Sequence, residues 1–380
     1  MVTIGIICEY NPFHNGHLYH INEIKKLYSD SRIILVMSGN FLQRGDVSLI
    51  NKWDKTMLAL ENGVDLVIEL PFVFATQGAD IFAHGAIQIL DNLGVDKIVF
   101  GSECNDIDLL KKMADIQINN SSYDDIVRNY LDVGYNYPSA MSMALEDIGG
   151  VSITEPNDIL GLCYIKEIML QNSKIEAISI KRTNGYNDEV LNGNIVSAKA
   201  IRKAIFNNDD ISKFVPHDSY KYINKKCFID NYYSFLQYKI MTDEIDKYQT
   251  VDEGIKYRIK KNICKCNSLE ELINKVKTKR YTHNRIKRML LHILCGFTKE
   301  EANLCKDIHY IRVLGFNNVG KNYLNSVKKD CCVPIISNFS SINDVMLDIE
   351  FRANLVYSLV FDDKRIEIIN MEYKHKPIIK

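Results

Sequence analysis

Residues 3 to 17 read TIGIICEYNPFHNGH, a short β-branched run, a turn, and then His14-Asn15-Gly16-His17. Similar runs recur at Arg32–Met37, Val64–Glu69, Lys97–Phe100 and Ile175–Ile180. Each is short, apolar and bounded by turn or polar residues, as strands buried on both faces are. Helical patterns separate them at His17–Tyr28, Lys52–Asn62, Ile81–Leu93 and Asp158–Leu170. Strict β/α alternation leaves few choices: a parallel sheet with right-handed crossovers and helices on both faces. The expected fold class is therefore α/β, with a doubly wound, Rossmann-like domain first.

The stretch from Asp106 to Gly149 reads as helices inserted before the fifth strand. Asn207-Asn208-Asp209-Asp210 is a polar break, and helical patterns dominate after it: Tyr232–Met241, Leu269–Thr278, Arg285–Leu294 and Lys299–Cys305. The late apolar runs Tyr310–Gly315 and Val333–Ser337 suit short strands. The expected division is 1–206 and a mainly α-helical 211–380.

At 380 residues the chain can bury a sizeable core. Its longest apolar runs are too short to span a membrane, and no signal-type leader precedes them, so a cytoplasmic location is expected. Ten cysteines lack a CxxC pair, which favours reduced, mostly buried thiols over a zinc site, and no protein-held metal is expected. A net charge of −1 hides an asymmetry. From Lys256 to Arg288, twelve Lys or Arg face only Glu270 and Glu271, a local charge of +10. Such a segment suits a polyanion; a solvated lysine-rich helix face is the alternative.

In a doubly wound sheet, ligands bind at the carboxyl ends of the strands, where the Glu9–Asn15 turn lies. His14 and His17 are three residues apart and share a face at a helix start. Free N–H groups in that first turn attract phosphate oxygens, and Gly16 lets phosphate approach the backbone. Two imidazoles add donors for charge building on an α-phosphate and on leaving pyrophosphate. The expected chemistry is adenylyl transfer. Gln43-Arg44-Gly45-Asp46 follows the second strand at the same edge, where Arg44 suits phosphates or a carboxylate. Asp65 and Glu69 flank a buried strand and read as structural. Ser197-Ala198-Lys199-Ala200-Ile201-Arg202 reads as a capped helix start with a cation in reach of phosphates, or as an ordinary amphipathic helix.

HxGH after the first strand resembles the nucleotidylyltransferase superfamily, and the SAKAIR segment is similar to that superfamily's second signature. In order along the chain, GIICEYNPFHNGHLYHI, MSGNFLQRGD, GVDLVIELPF, VFGSE, PNDILGL and SAKAIRKAI resemble the bacterial tRNA(Met) cytidine acetate ligases. KRYTHNRIKRMLLHIL extends the resemblance more weakly. The resemblance implies that ATP and acetate give acetyl-adenylate. The acetyl group then passes to N4 of the wobble cytidine of elongator tRNA(Met). It implies ATP contacts from Cys8, Glu9, Tyr10, Asn11, Pro12, Phe13, His14, Asn15, Gly16, His17 and His20, with Gly101, Asn157 and Arg182; Ser197 and Arg202 join them from the second signature. Taken alone, Gly101 suits a strand-end turn, Asn157 a helix cap and Arg182 a surface cation. Magnesium is expected through the ATP phosphates. Thr278–Leu294 is expected to form a helix capped by Thr282, with Lys279, Arg280, Arg285 and Arg288 on tRNA phosphates and Tyr281 and His283 on unpaired bases. A small-molecule adenylyltransferase, making a dinucleotide or a coenzyme A precursor, shares HxGH but does not need the basic segment.

Overall fold

The computed structural model describes residues 1–182, 195–223 and 227–380. Five parallel strands form the centre of one sheet: β1 (Val2–Cys8), β2 (Ser31–Ser38), β3 (Leu66–Leu70), β4 (Lys97–Ser102) and β5 (Glu176–Lys181). Their order is β5-β4-β1-β2-β3, so the chain reverses direction of travel between β1 and β4. That switch point is where a doubly wound sheet opens a crevice for ligand.

Alternation of side chains builds two cores. Along β2, Ile33, Leu35 and Met37 enter one cluster with Ile4, Ile6 and Val99, while Ile34 and Val36 enter the other with Ile68, Ile98 and Phe100. A strand buried on both faces has no polar alternation to show, which is why these segments read as continuous apolar runs. Three helices, Ile107–Asn119, Tyr123–Asp132 and Tyr137–Gly149, fill the insertion before β5, as expected.

The expected downstream helices form at Tyr233–Thr242, Leu269–Val276, His283–Cys295 and Lys299–Leu304. The chain then returns to the same sheet. β6 (Ile311–Phe316) pairs antiparallel with β3, and β7 (Ile335–Ile336) and β8 (Ile378–Ile379) pair with β6. The sheet is therefore mixed, and residues beyond 211 supply one edge of it.

A buried ionic cluster fastens that edge. Lys52 Nζ lies 2.6 Å from Glu69, 2.8 Å from Glu372 and 3.3 Å from Glu350. Arg312 on β6 pairs with Glu69 at 3.0 Å and with Glu372. All five side chains are buried. These carboxylates are the one group among the described residues arranged as a metal could use them, and the Lys52 ammonium sits among them instead. Glu69 is thus structural, as is Asp65, which accepts from Ile33 N–H at 2.8 Å and from Asn317 at 2.7 Å.

Candidate active site

The carboxyl end of β1 runs into a constrained turn. Tyr10 has φ +50°, a left-handed conformation seldom taken by an aromatic residue and one that clusters at functional sites. The turn delivers the chain to the helix Asn15–Leu27, whose N-cap is His14. The two histidines close that helix start reciprocally. Gly16 N–H donates to His14 Nδ1 at 3.0 Å, and His14 N–H donates to His17 Nδ1 at 3.2 Å. This is a capping box with imidazoles in place of Ser and Glu.

The box fixes the tautomers. Each Nδ1 lone pair is spent on a backbone N–H, so each neutral ring carries its proton on Nε2. Burial, followed by the charges of Arg182 and Arg202, lowers the His14 pKa to about 3. Burial, then His14, His20 and Arg182, puts His17 well below its ordinary value. The rings lie 3.9 Å apart, centroid to centroid, and present neutral N–H donors at pH 7.

Gly16 has a sharper role than backbone access for phosphate. A Cβ there would lie 2.8 Å from His14 Cε1 and 3.0 Å from its Nδ1. The glycine makes room for the imidazole to fold back over the first turn.

One cavity gathers most of the expected contacts. Cys8, Glu9, Tyr10, Asn11, His14, Gly16, His17, His20, Gly101, Asn157, Arg182, Ser197 and Arg202 all line it. Three do not. Phe13 is buried against Tyr10, with ring centroids at 4.8 Å, Pro12 is buried beside it, and the Asn15 amide donates to Lys213 O at 2.9 Å. These three shape the turn from behind.

The remaining residues come from separate elements. Gly101 is the fifth residue of β4, and a Cβ there would press on Arg182 Cγ at 3.2 Å. Asn157 does not cap its helix, since Glu155 holds the N-cap position; its amide donates to Glu103 Oε1 at 2.5 Å. Arg182 follows β5 and lies 3.6 Å from the Glu103 carboxylate. Ser197 caps the helix Ala198–Asn207, accepting from Ala200 N–H at 3.1 Å. Arg202, one turn on, donates to Asn11 O at 2.8 Å and braces the HNGH turn. Lys199 is absent from the cavity lining.

Two features escaped the sequence reading. An apolar wall of Phe82, Phe100, Leu160 and Tyr164 stands beside Gly101 and Asn157 and suits a planar base. The 42–46 loop also does more than offer Arg44. Its Gln43 N–H holds Glu9 Oε1 at 2.7 Å, and Asp46 pairs with Lys287. Gly45, at φ +74°, sits so close to the helix His283–Cys295 that a Cβ would lie 2.5 Å from Arg288 N. The basic helix is thus seated on the cavity rim. In the lining, Arg44, Lys181, Arg182 and Arg202 face two carboxylates, Glu9 and Asp46, a balance suited to a polyanion.

The basic segment is less positive in space than along the chain. Lys256 pairs with Asp246 at 2.6 Å, Lys260 with Glu244 at 3.3 Å and Arg280 with Glu253 at 2.9 Å. Thr282 does cap its helix, accepting from Arg285 N–H at 3.4 Å. Tyr281, however, is buried, donating to Asp252 O at 3.0 Å with Arg285 4.4 Å over its ring, so neither face is open to a base. His283 pairs with Glu270 at 3.0 Å. Lys279 is exposed, and Arg288 NH1 reaches Gln43 O at 3.5 Å. Among the described residues no helix is long and apolar enough to cross a membrane.

A family model described as HIGH Nucleotidyl Transferase matches residues 1–371. A tRNA(Met) cytidine acetate ligase of Caldicellulosiruptor saccharolyticus is 40% identical over 397 residues, covering 100% of this chain and 98% of that protein. One from Clostridium perfringens is 39% identical over 403 residues and is covered in full, as is this chain. The crystal structure of Thermotoga maritima TmcAL without ligand superposes with a TM-score of 0.92 at 32% identity, covering 100% of this chain and 99% of that one. The same protein bound with alpha-thio ATP superposes at 0.89. Sequence and fold agree: the chain belongs to the tRNA(Met) cytidine acetate ligase family, among the HIGH nucleotidyl transferases.

Proposed function

We propose that this protein activates acetate with ATP as acetyl-adenylate and transfers the acetyl group to N4 of the wobble cytidine of elongator tRNA(Met). The observation that carries the reading is the pair of neutral imidazoles, locked as Nε2–H donors beside Arg182 and Arg202 in one cavity at the switch point.

Acetate is a poor acyl donor because its oxygen leaves badly, and a mixed anhydride with AMP corrects this. An acetate oxygen attacks the α-phosphorus, and pyrophosphate leaves in line. The chain's part is positioning and charge stabilisation. His14 and His17 donate through Nε2–H to phosphoryl oxygens without bringing a proton that titrates near pH 7. Arg182 and Arg202 offset the triphosphate charge. The apolar wall beside Gly101 holds the adenine. Magnesium would accompany the phosphates, held through them and water, and would share with Arg182 and Arg202 the task of offsetting their charge.

Lys279 and Arg280, just before the helix seated at the cavity rim, and Arg285 and Arg288 on it take tRNA phosphates, and an extruded wobble base then reaches the activated acid. The division at 206 and 211 is one of role: the first part holds ATP and the second the RNA. The protein works in the cytoplasm, where its three substrates meet.

The test is ATP–pyrophosphate exchange with purified protein. Stimulation by acetate is the expected result. Exchange indifferent to acetate, or dependent on a phosphorylated small molecule, would overturn the reading.

A further inference from the structure

We infer that Glu9 is the proton acceptor for the N4 amine during acetyl transfer. This rests on the acetyl-transfer reading above and adds a base to it, a role that neither histidine can fill.

An amine bonding to the acetyl carbon must shed a proton, and the group that takes it must lie at the reacting centre with a lone pair to spare. The cavity offers few such groups. His14 and His17 each spend the Nδ1 lone pair on the helix cap, and their Nε2 atoms carry hydrogen. His20 lines the cavity, but its Nε2 is buried out of reach of a substrate, and burial and then Arg182 lower its pKa to about 4. Asp46 is engaged by Lys287. Lys181 is a cation donating to Glu103 O at 2.6 Å.

Glu9 differs from all of them. It is the first residue past β1, at the switch point and one residue from the turn that holds the histidines. Its Oε1 accepts from Gln43 N–H at 2.7 Å, which fixes the carboxylate plane. Among the described residues its Oε2 has no hydrogen-bond partner and no ion pair within 4 Å. The side chain is partly exposed, and that exposure is to the cavity it lines.

The surroundings tune the group. Burial raises its pKa; the Gln43 N–H and the charges of Arg44 in the loop, Lys55 beneath the turn and Arg202 on the helix Ala198–Asn207 pull the other way, and burial wins. The Cys8 thiol on its own strand and the Tyr164 phenol also face it, and both are held protonated by burial. Lys55 cannot be the base: its ammonium is spent on the carbonyls of Ser38, Gly39 and Glu9 at 2.7, 2.8 and 2.9 Å.

The step balances. N4 forms a bond to the acetyl carbon while one N4–H proton passes to Glu9 Oε2. The carbonyl reforms as the C–O bond to phosphate breaks, and AMP leaves with that electron pair. Glu9 then returns its proton to solvent, and no oxidant or reductant is involved.

The test compares two acceptors for the same acetyl-adenylate. Hydroxylamine is a strong nucleophile and needs no base; cytidine N4 in tRNA is weak and needs one. Glu9→Gln keeps an oxygen for Gln43 N–H and loses the proton acceptor. The expected result is a fall in kcat for tRNA acetylation of about 10²-fold or more, with acetohydroxamate formation reduced far less. The acid limb of the wild-type transfer profile, where activity falls as Glu9 takes up its proton, should vanish in E9Q, and Glu9→Asp should recover part of the rate. Equal losses with both acceptors, or tRNA acetylation by E9Q at the wild-type rate, would overturn the assignment while leaving the overall function intact. A wild-type protein that forms acetohydroxamate but acetylates no tRNA would remove the reading on which the assignment rests.

Discussion

Gly16→Ala separates the stability of the site from its chemistry. The new Cβ would stand 2.8 Å from His14 Cε1, about 0.6 Å inside the 3.4 Å at which ordinary contact begins. Backbone cannot yield, because Gly16 is the second residue of a formed helix, so the imidazole retreats. Its Nδ1 then loses the Gly16 N–H, a capping bond worth about 1 kcal/mol. Alanine in place of glycine returns about 1 kcal/mol of helix propensity. The two effects cancel, and the melting temperature should move by no more than a degree or two. Activity should not be spared. A donor displaced by about half an ångström from a developing phosphoryl charge loses much of its value, and misplacements near 1 Å can cost about 10²-fold. Acetate-dependent ATP–pyrophosphate exchange is expected to fall by ~10- to 100-fold, with the loss in kcat more than in KM for ATP. Exchange within twofold of wild type at an unchanged melting temperature would refute the role given to His14.

Two further predictions follow from charge. Glu350 lies in the buried cluster, where burial and then Glu69 raise its pKa to about 8, against an ordinary value near 4.5. Between those values the folded state keeps a proton on Glu350 that the unfolded state has lost, so the contribution of Glu350 to stability falls as pH rises from 5 to 8. Glu372, held below its ordinary value by Arg312 and Lys52 despite burial, acts at lower pH, whereas the buried His14, His17, His20 and His292 and the buried Lys55, all with lowered pKa, contribute stability that rises with pH inside the window. Glu350→Gln should therefore remove a falling contribution and tilt the dependence of melting temperature on pH between 5 and 8 upward; an unaltered slope would contradict the assignment. Removing Arg285 and Arg288 together should weaken tRNA binding and lower the slope of log K against log salt by about 1 to 2, measured by filter binding over a salt series. An unchanged slope would take the RNA off this helix.

The parallel core was legible because strands covered on both faces must be apolar throughout, and each of the five runs forms a strand within about two residues of its expected ends. HNGH was legible because its chemistry is local: two side chains and a helix start within four residues. What needs partners distant in sequence was not. β6 pairs with β3 across some 240 residues, and its apolar run alone does not say which edge it joins or in which direction. The +10 segment overstated its field because Glu244, Asp246 and Glu253 lie just outside it and fold back onto it. Tyr281 suggested a stacking platform, yet a hydroxyl satisfied by Asp252 O makes it a core residue. Spacing placed the histidines on one face but did not reveal that each holds the other's end of the helix, which is what sets their tautomers.

The central claim is that this cavity makes an acetyl group transferable to RNA. The direct measurement is nucleoside mass spectrometry of total tRNA after incubation with the purified protein, ATP and isotopically labelled acetate. N4-acetylcytidine carrying the label, found only when ATP and acetate are both present and confined to the elongator tRNA(Met) fraction, is the predicted result. Labelled AMP derivatives without labelled cytidine, or no label in either, would contradict it.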